Sequence, residues 1–183
     1  MARPGCIALI GLPGSGKTVL GRQLARRLRL AFADADHEIE ARIGCAIREF
    51  FEREGEDAFR DVEQTVIADL TQNFQGVLAT GGGAVLREAN RAALAGRTYT
   101  VYLRTHPEEL YRRLRHDTSR PLLQTSNPLE RLHELSRTRD GFYLQTARSV
   151  IDTGRHSAPR LLNMMVMQLE LDGAIAPQQS TIG

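Results

Sequence analysis

Eight consecutive residues, Gly11-Leu12-Pro13-Gly14-Ser15-Gly16-Lys17-Thr18, carry the first chemistry in the chain. Gly11, Gly16, Lys17 and Thr18 fill the defining places of a G-x-x-x-x-G-K-[ST] phosphate loop. Gly11, Gly14 and Gly16 allow backbone conformations that a Cβ would forbid. Successive N–H groups can then face inward as an anion nest, helped by the positive end of the helix that follows. Lys17 brings a point charge to the outer phosphates, and the Thr18 hydroxyl is a hard oxygen of the kind Mg²⁺ prefers. This spacing predicts a nucleoside triphosphate site.

Four further groups could complete a reaction there. Asp34 and Asp36 stand two apart at the expected end of a strand. In an extended segment both side chains would point the same way. One could then serve the Mg²⁺ shell while the other orients a hydroxyl or accepts its proton; alternatively Asp36 caps the next helix. Gly81-Gly82-Gly83 offers bare backbone to a ligand. Arg60 reads, on its own, as a solvated arginine on the polar face of a helix. The stretch from Arg112-Arg113 to Arg120-Pro121-Leu122-Leu123 joins a basic helix end to a polar loop. Such a loop could close as a lid and bring Arg120 to the transferred phosphate. The Asp-x-x-Gly and Asn-Lys-x-Asp patterns of a GTPase do not occur. The nearest match to the Asp-Glu strand of a mechanical ATPase, Val150-Ile151-Asp152, is short and late. A small-molecule kinase is the class that remains.

These residues need a scaffold. Short apolar runs at residues 6–10, 31–33, 77–79, 98–103 and 149–151 read as strands. Helical patterns fill residues 16–29, 38–43, 47–54, 56–70, 88–94, 128–146 and 159–171. Thr105-His106-Pro107-Glu108 reads as a capping box that opens another helix, ending near residue 115. Strands alternating with helices predict an α/β fold, with a mostly parallel sheet covered on both faces. Ligands gather at the C-terminal strand ends of such a sheet, and the phosphate loop, the aspartates and the glycine triplet all fall at such ends. The expected organisation is one domain over residues 1–172, with a mobile acceptor-binding region at about 36–63 and a lid at about 112–127. A flexible tail is expected over residues 173–183.

The 183 residues suit one core, and a net charge of +2 is too small to argue for nucleic acid or a membrane surface. Cys6 and Cys45 have no Cys or His at metal-ligand spacing and read as idle thiols in a reducing compartment. The apolar run after Arg3 is only strand-length and leads at once into the phosphate loop, so it is not read as a signal sequence. No stretch is long enough to span a bilayer. A cytoplasmic monomer is expected.

Taken together, these motifs resemble shikimate kinase over nearly the whole chain. The resemblance rests on Gly11–Thr18, Asp34-x-Asp36, Ala58-Phe59-Arg60 with Glu63, Thr80-Gly81-Gly82-Gly83, Arg120-Pro121-Leu122-Leu123, and Arg139 ahead of Tyr143. It implies a nucleoside-monophosphate-kinase-like three-layer sandwich around a five-stranded parallel sheet. It also implies ATP-dependent phosphorylation of the shikimate 3-hydroxyl with Mg²⁺, on the route to chorismate and the aromatic amino acids. By position, Asp36 would hold the ring hydroxyls, Arg60 and Arg139 the carboxylate, and the Gly81, Gly82 and Gly83 backbone would line the pocket. ATP would meet Gly14, Ser15, Gly16, Lys17, Thr18, Val19, Arg113, Arg120 and Arg155. Thr18 would ligate the metal, with Asp34 near it through water. Lys17, Asp36 and Arg120 would be catalytic. The chain departs from the family pattern at Gly141-Phe142-Tyr143, where Pro-Leu-Tyr is usual, and a loop near residues 154–159 is about one residue longer. Two rivals stay open: a kinase of another small polyol acid such as gluconate, and a nucleotide-gated regulatory module without turnover.

Overall fold

The computed structural model describes residues 5–116 and 124–177. Five strands, β1 (Cys6–Ile10), β2 (Phe32–Asp34), β3 (Gly76–Ala79), β4 (Tyr99–Arg104) and β5 (Ser149–Asp152), form one sheet in the order β2-β3-β1-β4-β5. Every pairing is parallel. β1 lies at the centre and is buried along its whole length, as a strand covered on both faces must be.

Side chains alternate along β1 and so divide the core in two. Cys6, Ala8 and Ile10 pack with Ile67, Leu94, Leu135 and Tyr143. The first two of those partners come from α4 (Glu56–Asn73) and α5 (Glu88–Arg97), the last two from α7 (Pro128–Thr146). Ile7 and Leu9 pack on the other face with Leu20, Leu24, Leu161 and Met165, which belong to α1 (Lys17–Leu28) and α8 (Ala158–Leu171). Burial raises the Cys6 thiol to about 12, so it is an inert core group. A third cluster, Ile39, Phe59 and Val66, joins α4 to α2 (Ala35–Ile43) and has Ile47, Phe50 and Phe51 of α3 (Ile47–Glu54) packed against it. The remaining helix, α6 (Pro107–Leu114), follows β4.

Several boundaries moved. α4 runs on to Asn73, and α5 passes through Gly96 to Arg97, where the Thr98 N–H and hydroxyl both close on the Leu94 carbonyl. The expected capping box at Thr105 does not form. His106 is the N-cap of α6 and makes no side-chain cap bond. The Thr105 hydroxyl instead pairs with that of Thr153 at 2.8 Å, next to β5. A buried hydroxyl takes the partner that tertiary packing supplies. After α8, Gly173 turns at φ +68 and Ala174 is buried against the core, its N–H bonded to the Leu169 carbonyl. No helix among the described residues is long and apolar enough to cross a membrane.

Leu78 in β3 is fully buried between β1 and β2. Leu78→Ala should lower stability by about 2–5 kcal/mol. Urea titration should show this as an earlier midpoint with an unchanged m-value.

Candidate active site

Three adjacent strand ends build the site. β1 delivers the phosphate loop. Gly14 and Gly16 take φ +83 and +93, left-handed values that only glycine adopts without strain, and Gly16 is the N-cap of α1. Lys17 Nζ donates to the carbonyls of Gly11 at 2.7 Å and Leu12 at 2.9 Å, with Ser15 Oγ at 3.4 Å. The ammonium is thus held, largely desolvated, inside the loop beside the fully buried Ser15. Val19, one residue beyond Thr18, is exposed.

β2 delivers the two aspartates. Thr18 Oγ1 donates to Asp34 Oδ2 at 2.7 Å, and the Asp36 N–H donates to Asp34 Oδ1 at 3.0 Å. Asp34 is therefore the N-cap of α2, and Asp36 sits in the helix's first turn. This corrects the reading of both acids as parallel projections from one extended segment. The chain turns helical at Ala35 because the Asp34 side chain satisfies an orphan N–H there. The cap is Asp34, not Asp36. Burial raises the Asp36 carboxyl above its ordinary value, and the neighbouring Asp34 charge raises it further, while Lys17 draws it down.

β3 delivers Thr80 and the glycine triplet, and each glycine faces a different obstacle. A Cβ on Gly81 would lie 2.9 Å from Asp36 Oδ1 and 3.3 Å from Glu63 Oε2; on Gly82 it would lie 2.6 Å from Pro13 Cδ. On Gly83 it would overlap the Arg60 guanidinium. Asp36, Pro13 and Arg60 thus each leave no room for a Cβ at one of the three positions.

Arg60 is not the solvated arginine its helix face suggested. Its side chain is 12 % exposed, and Nη1 donates at 2.7 Å to Glu63 Oε1, whose side chain is 2 % exposed. Nη2 reaches Glu56 at 3.4 Å. Nε is buried without a partner among the described residues. Burial raises the Glu63 carboxyl, with Arg60 and Arg139 pulling against it. Between these groups lies a cavity of about 470 Å³ lined by Pro13, Asp36, Arg60, Glu63, Gly81–Gly83 and Arg139, with Ile47, Phe51 and Phe59 on its apolar side. Arg139 lines the cavity, whereas Arg137, two residues earlier, is exposed.

The remaining sequence candidates sit elsewhere. Arg113 Nη2 approaches the Gly154 carbonyl at 3.4 Å, which sets the end of α6 beside the turn after β5. Arg155 is exposed in that same turn. Arg120 and residues 117–123 of the lid expected at about 112–127 lie outside the described residues. Sequence reasoning gave no role to Pro13, or to Tyr143, whose hydroxyl reaches Gly82. It used Glu63 only as part of a pattern. The spacing of Glu63 three residues after Arg60 was its usable signal.

The Shikimate kinase family model matches residues 13–170. The chain belongs to the shikimate kinase family. Among family members, the shikimate kinase of Ralstonia nicotianae is 52 % identical over 171 residues, which cover 93 % of this chain and 90 % of that one. The shikimate kinase of Paracidovorax citrulli is 54 % identical over 174 residues, covering 93 % and 95 %. Among solved structures, the Acinetobacter baumannii shikimate kinase in complex with shikimate superposes with a TM-score of 0.86 at 42 % identity, covering 93 % of this chain and 95 % of that one. The Aquifex aeolicus shikimate kinase gives 0.80 at 30 % identity, with coverage of 92 % and 98 %. The fold is therefore the five-stranded, phosphate-loop, nucleoside-monophosphate-kinase-like sandwich.

The raised Asp36 carboxyl has a consequence for stability. Folded Asp36 binds a proton more readily than in the unfolded chain, whose ordinary value is 3.8. Stability contributed here therefore falls as pH rises through the window above 3.8, and the penalty is complete above the raised value. Asp36→Asn should be more stable than the parent at neutral pH, and the gain should fade as the pH is lowered toward the ordinary value. Urea unfolding across a pH series checks this; equal neutral stability would remove the burial penalty from the account.

Proposed function

We propose that the chain transfers the terminal phosphoryl group of ATP to the 3-hydroxyl of shikimate, on the route to chorismate and the aromatic amino acids. One observation carries the reading. A complete phosphate loop shares a crevice with a cavity that holds a carboxylate, Asp36, and two arginines, Arg60 and Arg139. That cavity suits a small anion with several hydroxyls. Planar guanidinium forks match a carboxylate, and a carboxylate side chain accepts from hydroxyls.

The residue roles follow from position and charge. The loop N–H groups around Gly14, Ser15 and Gly16 receive the phosphates, and Lys17 adds its charge at the transferred group. No group of three or more His, Cys, Asp or Glu side chains fit for a metal occurs among the described residues. A hard cation would therefore take its other ligands from phosphate and water. Thr18 Oγ1 fits this role, because donating to Asp34 leaves its lone pairs available. Thr18, with Asp34 beside it, would hold Mg²⁺, which would supply neutralisation of phosphate charge. Asp36 orients the acceptor hydroxyl and takes its proton; a carboxyl raised by burial is a better base for that task. Arg113, Arg155 and Val19 flank the nucleotide, and Arg120 reaches the phosphates from the lid. We read the working unit as a cytoplasmic monomer, which sedimentation would check.

ADP release with ATP, Mg²⁺ and shikimate is the decisive measurement, with gluconate as the competing acceptor. Turnover with gluconate alone would favour the rival kinase, and no release with any acceptor would favour a regulatory module. Lys17→Ala should abolish turnover and leave the unfolding transition in place. Arg139→Ala should raise the shikimate KM by an amount equivalent to about 2–4 kcal/mol, with little change in the ATP KM. Arg137→Ala should behave like the parent; the opposite pattern would transfer the role to Arg137.

A further inference from the structure

The segment from Gly81 to Leu86 is a glycine turn leading into a single 3-10 turn at Ala84–Leu86, and each of its carbonyls is bonded. Backbone N–H groups of Ala84 and Leu86 close on the Gly81 and Gly83 carbonyls. Asn90 holds the Ala84 carbonyl, and Arg91 holds those of Val85 and Leu86. Among the described residues, one side chain hydrogen-bonds the glycine triplet's own backbone: Tyr143 Oη donates to the Gly82 carbonyl at 2.5 Å. By contrast, the N–H groups of Gly81, Gly82 and Gly83 have no partner among the described residues.

Tyr143 is built to hold that bond. It is fully buried. Its ring stacks on Tyr102 at 4.8 Å between centroids, 29° apart. Tyr102 is anchored in turn to Asp140 at 2.8 Å, and Asp140 accepts from Arg104 at 3.0 Å. Burial pushes the Tyr143 hydroxyl up to about 12, so it remains a donor at working pH. No peptide in the described chain is cis. In a trans peptide the carbonyl and the following N–H point in opposite directions. Holding the Gly82 carbonyl against α7 therefore turns the Gly83 N–H away from α7. Gly83 is the residue on which the Arg60 guanidinium rests, and Arg139 lies one helical turn before Tyr143 on α7. Arg60 thus rests on the residue next to the glycine that Tyr143 holds, and Arg139 hydrogen-bonds the Tyr143 hydroxyl itself.

We propose that Tyr143 is a positioning residue for the acceptor: its hydroxyl, donated to the Gly82 carbonyl, holds the glycine turn in the one conformation that seats Arg60 and presents the free glycine N–H groups to the cavity. The inference rests on reading that cavity as the acceptor site. Glycines have no side chains to lock their own conformation, so the turn depends on this external hold.

The test is Tyr143→Phe, which deletes one oxygen and keeps the buried ring, beside Tyr102→Phe, which deletes the hydroxyl bonded to Asp140. Both should lower the thermal midpoint. Only Tyr143→Phe should raise the shikimate KM, by roughly five- to thirtyfold, the equivalent of one lost hydrogen bond with an acceptor left unpaired. Its ATP KM should stay within about twofold and its kcat within about threefold, the split expected of a lost binding contact. Amide exchange gives a readout that needs no acceptor. The Ala84 and Leu86 amides, which close the turn, should exchange about tenfold faster in Tyr143→Phe and at the parent rate in Tyr102→Phe. An unchanged exchange rate, an unchanged shikimate KM, or an equal KM rise in Tyr102→Phe would overturn the proposal. If the parent releases no ADP with shikimate, the substrate reading fails instead, and the exchange rates still decide whether Tyr143 holds the turn.

Discussion

The carboxylate of Asp34 couples the two halves of the site. One oxygen accepts from the Thr18 hydroxyl and the other from the Asp36 N–H. The first bond ties α1, which begins in the phosphate loop, to the end of β2. The second starts α2 and thereby sets the direction of the Asp36 side chain. Hydrogen bonds to an ionised acceptor are stronger than neutral ones, so both ends are firmly held. The helix that begins in the phosphate loop and the Asp36 carboxylate thus share one anchor.

The cavity is governed by a second constraint, the close approach of charge to bare backbone. Arg60 and Glu63 are buried together, an arrangement that is costly unless its hydrogen bonds are made. Their short contact meets part of that need, and the glycine turn supplies the space. Because Asp36, Pro13 and Arg60 each press on a different glycine, the triplet acts as a mould for three separate groups. Burial raises Asp36 and Glu63 together, and the cations Lys17, Arg60 and Arg139 oppose it. The cavity is therefore a balanced cluster of opposite charges rather than a simple basic hole. That suits recognition of an anion that also carries neutral hydroxyls.

Much of this was legible in the chain. The order of strands and helices followed from apolar runs and helical spacing, and α3 and α7 fell on the residues expected. The phosphate loop declared itself because its chemistry is local: consecutive N–H groups, a lysine and a hydroxyl within eight residues. The same locality explains why Arg60 and Glu63 could be seen as an i,i+3 pair, although not as a buried one.

What the sequence determined by itself, then, was the set of elements and the residues that bring charge and bare backbone to the strand ends. Only the tertiary structure decided how those residues are used. It brought the Thr18 hydroxyl to the Asp34 cap of α2, because α1 and the end of β2 come together only in the sheet. It drew the Thr105 hydroxyl away from its helix to Thr153, 48 residues later. It buried Arg60 by folding α4 against the glycine turn, and it brought Tyr143 to Gly82 across 61 residues of chain. Local pattern reads propensity and periodicity within a few residues. Burial, desolvation and the choice of a hydrogen-bond partner depend on neighbours that only the closed sheet and its covering helices supply.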